Sequence, residues 1–428
     1  MNKVRAGYKM TELGEIPIEW EVKRLEECTN KITDGSHTSP APVEISNYKI
    51  CTVANMKKYK LDLENSTNIS EEDYIRLIKN GCSAERGDVL LSKDGTVGKT
   101  LVYSQSGENI VFLSSIAIIR PQKNILLGEY LNQYLQETKT LERLSNTKTG
   151  SAIKRIVLKD IKNIKIIIPK IQEQEKIASI LSTIDEQIDN VDALIEKNKE
   201  LKKGLMQTLL TKGIGHTKFK KTEIGEIPEE WEVGTLSSII DKNRKITYGI
   251  VQPGEYVECG KYVIRAKDYS FGWVRVEEIF KCDGLVEKSY ARARVKEGDV
   301  LLTIVGSVGN LAIVPSVLNE ANITQQTARL SFDKNKVNNV FYYNYLKSDR
   351  AIKEINKYMK SGVQPSLNLS DVEKFKIVIP SIKEQERISL ILSSVDEKVE
   401  QYENKKQKLE ELKKGLMQQL LTGRIRVI

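Results

Sequence analysis

A sequence duplication at an offset of 211 residues constrains this chain more than any other feature. The segment "TELGEIPIEWEV" at 11–22 returns as "TEIGEIPEEWEV" at 222–233. Near the end of each copy, "ELKKGLMQTLLT" at 200–211 returns at 411–422 with eleven identities in twelve positions. Two copies account for nearly all of the 428 residues. Two repeats are too few for a solenoid, so we expect a molecule with two pseudosymmetric halves.

Two more segment pairs keep the same offset. "GDVLLSKDGTVG" at 87–98 matches "GDVLLTIVGSVG" at 298–309, and "KIIIPKIQEQEKI" at 165–177 matches "KIVIPSIKEQERI" at 376–388. Similarity is high at the edges of each copy and low inside it. This pattern indicates one scaffold that presents two different recognition surfaces.

The interior of each copy shows the pattern of an α+β domain. Short β-like runs are followed by a helical patch and a last strand, within about 150 residues. We expect two α/β recognition domains, related by pseudo-two-fold symmetry and separated by two long helices packed as an antiparallel coiled coil. The predicted boundaries are 1–20 for an N-terminal frame segment, 21–168 for the first recognition domain, 169–213 for the central helix, 214–231 for a linker and second opening segment, 232–379 for the second recognition domain, and 380–428 for the C-terminal helix.

The long helices are predicted from apolar residues that alternate in spacings of four and three, which is a coiled-coil seam. A single helix over 170–211 would span roughly 60 Å. We expect the two helices to pack on each other because either one alone would expose an apolar face. The predicted coiled-coil residues are Ile177, Leu181, Ile184, Ile188, Leu205, Leu209, Ile388, Leu392, Val395, Val399, Leu416 and Leu420.

Composition narrows the class of protein. Apolar residues make up 40% and charged residues 29%, which is typical of a folded protein. The sequence shows no membrane-length apolar run, and "MNKVRAGYKM" lacks the apolar stretch of a signal peptide, so we expect a cytoplasmic protein. Five cysteines without a C-x-x-C pair, and only two histidines, argue against a metal site and favour reduced thiols.

The sequence contains no convincing catalytic constellation. A phosphate-binding P-loop requires G-x-x-x-x-G-K-[ST], but Gly95 and Gly98 in "DGTVGKT" are only three residues apart. We interpret this stretch as a glycine turn after a buried strand. No G-x-G loop for a nucleotide or S-adenosylmethionine and no Pro-Pro dipeptide of a methylating N/D-P-P-Y motif are present. The chain is therefore predicted to bind rather than to catalyse.

Basic, aromatic and hydrogen-bonding residues suggest which surfaces of the chain contact a nucleic acid. If the segment 262–278 is extended, alternate side chains project to one face. That face would combine basic with aromatic groups, which suits contact with a phosphate backbone. Its residues are Arg265, Lys267, Tyr269, Phe271, Trp273 and Arg275. The alternative is a half-buried strand with Phe271 and Trp273 in the core. The loops "KITDGSHTSP" (31–40) and "KITYGIVQPG" (245–254), related by an offset of 214, carry groups that read base edges, although the same residues are common in turns. The candidate DNA-contacting residues are Lys31, Thr33, Asp34, Ser36, His37, Thr38, Asn55, Lys57 and Lys58 in the first copy, and Lys245, Thr247, Tyr248, Gln252, Arg265, Lys267, Tyr269, Arg292 and Arg294 in the second.

The duplicated frame resembles the specificity subunit of type I restriction-modification systems over essentially the full length. The resemblance rests on the paired G-E-I-P-x-E-W openings, the paired G-D-V-L-L strands, and the paired I-P-x-I-x-E-Q-E-[KR]-I helix starts with their L-K-K-G-L-M-Q ends. It implies a non-catalytic subunit with two target recognition domains that read a split target in double-stranded DNA. It also implies two modification subunits that methylate adenine with S-adenosylmethionine, and two restriction subunits that use ATP and Mg²⁺. By the same resemblance, the long helices with their seam residues and the opening segments are expected to form the docking surface for the modification subunits.

Two other hypotheses remain open from the sequence. One is a tandem coiled-coil adaptor that binds proteins and never touches DNA. The zero net charge of residues 1–150 is the best argument for it, since residues 216–361 carry +4. The other is a self-sufficient nuclease or methyltransferase, which the missing motifs disfavour.

Overall fold

The chain folds into two compact units that repeat one order of elements. A computed structural model describes residues 4–105, 108–145, 155–269, 274–360, 362 and 364–427. Unit 1 comprises the chain up to Asp192 together with the segment from Asn404 onward, and unit 2 comprises Ala193–Glu403. No helix in these described ranges is long and apolar enough to cross a membrane.

Unit 1 begins with the first copy of the repeat. Its strands are β1 (Tyr8–Thr11), β2 (Gly14–Pro17), β3 (Glu21–Arg24), β4 (Thr29–Asp34), β5 (Tyr48–Cys51), β6 (Thr67–Asn68), β7 (Val89–Ser92), β8 (Thr100–Val102), β9 (Asn109–Phe112), β10 (Ile116–Pro121) and β11 (Lys165–Ile168). Its helices are α1 (Glu71–Lys79), α2 (Gly128–Gln136), α3 (Thr138–Ser145) and α4 (Leu158–Asn163), followed by the long α5 (Ile171–Lys212), which continues into unit 2.

Unit 2 repeats this order. Its strands are β12 (Phe219–Thr222), β13 (Gly225–Pro228), β14 (Glu232–Thr235), β15 (Thr247–Tyr248), β16 (Lys261–Ile264), β17 (Phe280–Cys282), β18 (Val300–Thr303), β19 (Leu311–Ile313), β20 (Asn322–Ile323), β21 (Thr327–Leu330) and β22 (Lys376–Ile379). Its helices are α6 (Gly284–Ser289), α7 (Asn339–Leu346), α8 (Asp349–Tyr358) and α9 (Leu369–Val372), followed by the long α10 (Ile382–Leu420), which continues into unit 1.

The two units share their sheet topology. Each has a four-stranded antiparallel sheet, in the order β4-β10-β7-β8 in unit 1 and β15-β21-β18-β19 in unit 2. A three-stranded sheet in each unit contains one parallel pair, β5 with β9 and β16 with β20. The G-D-V-L-L strands β7 and β18 are buried at every position, because both faces of the central sheet are covered.

The predicted helical patch is divided into two helices in each unit. In unit 2 the break lies between α7 and α8, where the Ser348 hydroxyl accepts from the Ala351 amide at 3.4 Å and so caps α8. In unit 1 the carboxylate of Glu137 accepts from the Thr140 amide at 2.8 Å at the start of α3. Side-chain acceptors at these positions satisfy backbone amides that would otherwise lack a partner.

The long helices pack antiparallel within each unit. In unit 1, Asp185 of α5 pairs with Lys413 of α10 at 2.7 Å, and Asp192 pairs with Lys406 at 2.7 Å. Seven residues forward along α5 therefore correspond to seven residues back along α10. In unit 2, Lys202 pairs with Asp396 at 2.6 Å, which repeats the Asp185–Lys413 pair with the roles of the helices exchanged. The predicted α+β fold class and the coiled coil are thus confirmed.

Candidate nucleic-acid interface

The two recognition loops leave equivalent strands through equivalent turns. Gly35 follows β4 and Gly249 follows β15. A Cβ atom at Gly35 would lie 2.0 Å from the carbonyl oxygen of Phe112, and one at Gly249 would lie 1.8 Å from that of Ile323. Only glycine fits this close approach of two backbones. The sequence alignment of the two loops at an offset of 214 therefore pairs residues that are also structurally equivalent.

An array of charges surrounds the loop of unit 1. The Lys93 side chain, only 3% exposed, lies 3.1 Å from a carboxylate oxygen of Asp34 and 3.3 Å from one of Asp94. Arg155 pairs with Asp94 at 2.9 Å, and the exposed imidazole of His37 lies 3.4 Å from Asp34. Asp34 and His37 were predicted, whereas Lys93 was missed. The only signal for Lys93 is a cation directly after an apolar strand.

Other predicted residues of this loop have local partners. The Lys31 ammonium donates to the carbonyl of Gly81 at 2.9 Å. The Ser36 hydroxyl donates to the Thr38 carbonyl at 2.6 Å and accepts from the Thr38 amide at 3.2 Å. The Thr33 hydroxyl donates to the Asp34 carbonyl at 3.4 Å. These bonds shape the turn and leave the exposed side chains of His37 and Thr38 at its tip.

The predicted residues Asn55, Lys57 and Lys58 have hydrogen-bond or ion-pair partners within unit 1. Asn55 is buried, and its amide donates to the carbonyls of Asp62 and Asn65 at 3.2 and 3.0 Å. Lys57 pairs with Asp62 at 3.3 Å. Lys58 lies 2.6 Å from Asp189 of α5. Burial lowers the pKa of Lys58, but its hydrogen bonds to Asp189 and Tyr59 and the nearby charge of Asp185 together outweigh burial and raise this pKa above the usual value. Lys58 therefore fastens its loop to α5.

In unit 2 the structure brings three predicted residues together, which we call the basic–aromatic patch: Lys245, Tyr248 and Arg292. All three are exposed, and the Arg292 guanidinium carbon lies 6.0 Å from the centre of the Tyr248 ring. Beneath them, the buried Arg329 donates to the carbonyls of Arg292 at 2.6 Å and Lys245 at 3.1 Å. Burial and the nearby charge of Arg244 lower the pKa of Arg329 to about 10.

Two further candidates lie in the same loop of unit 2. The Thr247 hydroxyl donates to the Tyr248 carbonyl at 3.2 Å, as Thr33 does to Asp34, and Gln252 is exposed. The patch combines positive charge with an aromatic ring on one surface, which is suited to a phosphate backbone and its bases. Sequence reasoning missed Arg329, whose only signal is an arginine inside the apolar strand β21.

The prediction of one extended strand over 262–278 is wrong. Strand β16 ends at Ile264, and a 3₁₀ helix follows at Ala266–Tyr269. The reason is the buried carboxylate of Asp268, which accepts from the Arg265 amide at 2.8 Å and from its guanidinium at 3.0 Å. The exposed Lys267 lies on this 3₁₀ helix. Phe271 and Trp273 lie outside the described residues.

Two of these predicted residues have partners inside unit 2. The Tyr269 hydroxyl lies 2.8 Å from that of Thr327 in the interior of the unit, and burial raises the pKa of Tyr269 to about 12. Arg294 donates two hydrogen bonds of 2.8 Å to the buried Glu287. Both side chains stabilise the domain that carries the basic–aromatic patch.

The predicted seam residues of the helices lie in the interior of their own units. Nine are buried and Leu205, Val399 and Leu416 are half-buried. They form the intramolecular coiled coil, so a partner chain would contact other faces of the helices. Leu201 of α5 and Leu412 of α10, equivalent residues of the repeat, are 51% and 50% exposed.

The structure describes no metal site and no phosphate loop of the P-loop type. Among the described residues, no group of three His, Cys, Asp or Glu side chains is placed to hold a metal ion. The hydroxyl of Ser92, the last residue of β7, bridges the turn "DGTVGKT" (94–100): it donates to the Thr96 carbonyl at 2.6 Å and accepts from the Lys99 amide at 2.8 Å. Gly95 and Gly98 have φ values of 73° and 92°. The predicted glycine turn after a buried strand is confirmed.

Comparison with known proteins gives one family. A family model described as "Type I restriction modification DNA specificity domain" matches the chain twice, at residues 17–202 and 228–411. The type I restriction enzyme MjaVIII specificity subunit of Methanocaldococcus jannaschii is 31% identical, with 83% of each chain covered.

Solved structures show the same fold. The S subunit of a type I restriction-modification system from M. genitalium covers 96% of this chain and 97% of its own, with a TM-score of 0.55 and 17% identity. A chain from a structural study of complex assembly and conformational transition in the type I R-M system covers 96% of this chain and 99% of its own, with a TM-score of 0.59 and 16% identity.

Proposed function

This chain belongs to the type I restriction-modification DNA specificity family, and from this premise we propose that it reads a bipartite, asymmetric DNA target, one half with each unit. Members of this family give a restriction-modification complex its DNA sequence specificity and are non-catalytic, since catalysis lies in other subunits. The family favours DNA specificity over the protein-only adaptor.

One observation carries the bipartite proposal: equivalent loops on one scaffold present unlike chemistry. In unit 1 the loop offers Asp34 and His37 beside the buried Lys93. In unit 2 the equivalent loop offers Tyr248 beside Arg292. A carboxylate and an imidazole match donor and acceptor patterns that a phenol and a guanidinium do not. Two such readers favour two different half-sites.

The partners and cofactors follow from the same proposal. Two modification subunits methylate adenine with S-adenosylmethionine, and two restriction subunits use ATP and Mg²⁺; this chain itself holds none of these cofactors. The complex acts in the cytoplasm. The equally exposed Leu201 and Leu412 support two equivalent docking positions for the modification subunits. Apolar side chains exposed at repeat-related positions suit a partner that binds twice.

Methylation mapping tests the proposal directly. DNA from cells that express the partner subunits is mapped with and without this gene. We expect a split motif with a methylated adenine in each half to disappear when the gene is removed. Unchanged methylation with the partners expressed would refute the assignment.

A domain exchange tests the bipartite reading. Residues 21–164 are replaced by the corresponding segment of another specificity subunit, and the matched control replaces the segment at 232–375 instead. We expect each exchange to change one half of the motif, and the two exchanges to change different halves. A change in both halves from either exchange would contradict the reading of one half per unit.

A further inference from the structure

A cavity in unit 2 is lined by an unusual number of cations. It has a volume of about 490 Å³, and we call it the cationic cavity. Three lysines of α5, Lys199, Lys202 and Lys203, line the cavity. Lys347, between α7 and α8, and Arg350, in the first turn of α8, also line it. The volume lies in the range of small-molecule sites.

The positive charge of this cavity is only partly neutralised. Lys202 pairs with Asp396 at 2.6 Å, and Lys199 lies 3.6 Å from Glu403. Lys203 has no ion pair among the described residues, and the lining carboxylate, Asp349, is exposed to solvent. More cations than anions therefore line the cavity.

Arg350 has hydrogen-bonding capacity to spare. Its Nη2 donates to the carbonyl of Glu226 at 2.9 Å. Its Nη1 is buried without a hydrogen-bond partner among the described residues. An unsatisfied buried guanidinium nitrogen is costly, so a bound acceptor at this position would stabilise it.

Lys347 is held by an aromatic ring rather than by an acid. Its ammonium lies 3.9 Å from the centre of the Tyr343 ring and hydrogen-bonds to the Tyr343 hydroxyl. Burial, and then the charge of Lys202, lower the pKa of Lys347 to about 8, while Asp396 acts in the opposite direction. The neighbourhood thus disfavours a further positive charge.

Unit 1 contains the same cavity without this excess of charge. Its equivalent, about 250 Å³ in volume, is lined by Gln136 and Glu410, where unit 2 has Lys347 and Lys199. The Asp185–Lys413 pair repeats the Asp396–Lys202 pair. The scaffold therefore folds without the extra cations, and they are available for another task.

We propose that the cationic cavity binds a phosphoryl group, supplied either by a free nucleotide or by a DNA phosphodiester. Several ammonium groups, a buried guanidinium nitrogen without a partner among the described residues and the N-terminus of the ten-residue helix α8 together suit a multiply charged oxyanion better than a single carboxylate. The proposal rests on unit 2 alone and does not depend on how the two recognition loops read bases.

Calorimetric titration of the full chain with inorganic pyrophosphate at pH 7 and low salt tests it. We expect one site per chain, and an affinity lowered by about tenfold or more in the double variant K203Q/K347Q, because it removes charge-assisted contacts. The matched control is K139Q/K414Q, which removes two cations of unit 1 at the positions equivalent to Arg350 and Lys203. This control should leave pyrophosphate binding unchanged. Glutamine at 347 copies Gln136, so folding should be retained, and thermal melts check this.

Competition separates the two sources of phosphate. ATP that displaces pyrophosphate when a short duplex does not would assign the cavity to a free nucleotide. A duplex that displaces pyrophosphate, with displacement lost in K203Q/K347Q, would assign it to DNA. The proposal is overturned if pyrophosphate shows no saturable binding, or if K139Q/K414Q lowers the affinity as much as K203Q/K347Q.

Discussion

The indole Nε1 of Trp20 donates a hydrogen bond of 2.9 Å to the carboxylate of Glu173 in the first turn of α5. Trp231 and Glu384 repeat this bond at 2.9 Å in unit 2. The other carboxylate oxygen of Glu173 is bound by Arg426, a residue that follows α10, at 2.6 Å. In unit 2, Glu384 also accepts from the amide of Ile214, just after α5, at 2.9 Å. In each unit the opening segment, the start of one long helix and the residues that follow the other therefore meet at one carboxylate, which is buried in Glu173 and half-buried in Glu384.

Glu173→Gln should destabilise unit 1. Glutamine still accepts a bond from Trp20, but it cannot pair with the charge of Arg426. We expect a loss of roughly 1–3 kcal/mol in the free energy of unfolding, measured by urea denaturation of the full chain. Glu175→Gln, an exposed change in the same turn, is the control. Equal effects of the two variants would contradict a special role for Glu173.

Gly213→Ala should be strongly destabilising. Gly213 has a φ of 68°, and a Cβ there would lie 2.4 Å from Glu384 Oε1 and 2.8 Å from the Trp231 ring. We expect a loss of about 2–4 kcal/mol from strain and displaced packing. Gly204→Ala, in open space within α5, should instead stabilise by up to about 1 kcal/mol. Thermal melts of both variants test this contrast in sign.

Lys347→Gln should stabilise unit 2 at neutral pH. The folded pKa of Lys347, about 8, lies below its unfolded value, so the folded state resists the charge. We expect a gain of roughly 1 kcal/mol after allowance for solvent screening. The gain should be full below pH 8 and disappear between pH 8 and the unfolded pKa, where the folded wild-type lysine is already neutral. A gain that persists above that window would refute this cause.

Arg244→Ala should unfold unit 2 more readily than Arg292→Ala. Arg244 makes two hydrogen bonds of 2.8 Å to the buried carboxylate of Asp299, the aspartate of the second G-D-V-L-L strand. Its removal leaves a buried charge unpaired, at a cost of about 3–5 kcal/mol. The exposed Arg292→Ala should change stability by about 0.5 kcal/mol or less. Comparable urea midpoints for the two variants would contradict the assignment.

Arg292→Ala has a second expected effect. If the basic–aromatic patch contacts a phosphate, DNA binding weakens and the slope of log affinity against log salt falls by about one. Titration of labelled duplex at several salt concentrations measures this. An unchanged salt slope would remove Arg292 from the interface.

Thiol labelling should find one fast cysteine. Cys259 is exposed and the other four are buried. Burial raises the pKa of Cys28 to about 11 and that of Cys51 to about 12, so both remain thiols at pH 8. We expect one rapid equivalent with a thiol-disulfide reagent in the native chain and five after denaturation. Two or more rapid equivalents would show that a buried site opens.

The sequence by itself determined the frame of this protein. The 211-residue offset, the seam spacings and the paired "E-Q-E" helix starts predicted two repeated units and two long helices. These are local patterns, and repetition makes them visible. Gln174 and Gln385 even bind equivalent amides, those of Leu127 and Asn338, at 2.9 Å in both units.

Only the tertiary structure decided which cations are free. In sequence, Lys58, Arg265 and Arg294 look as available as Arg292. In the structure each of the three is paired with an acid, whereas the exposed Arg292 lies 6.0 Å from the centre of the Tyr248 ring. The partner of Lys58 lies 131 residues away along the chain. The availability of a charge depends on what folding brings beside it, and side-chain spacing carries no record of such distant neighbours.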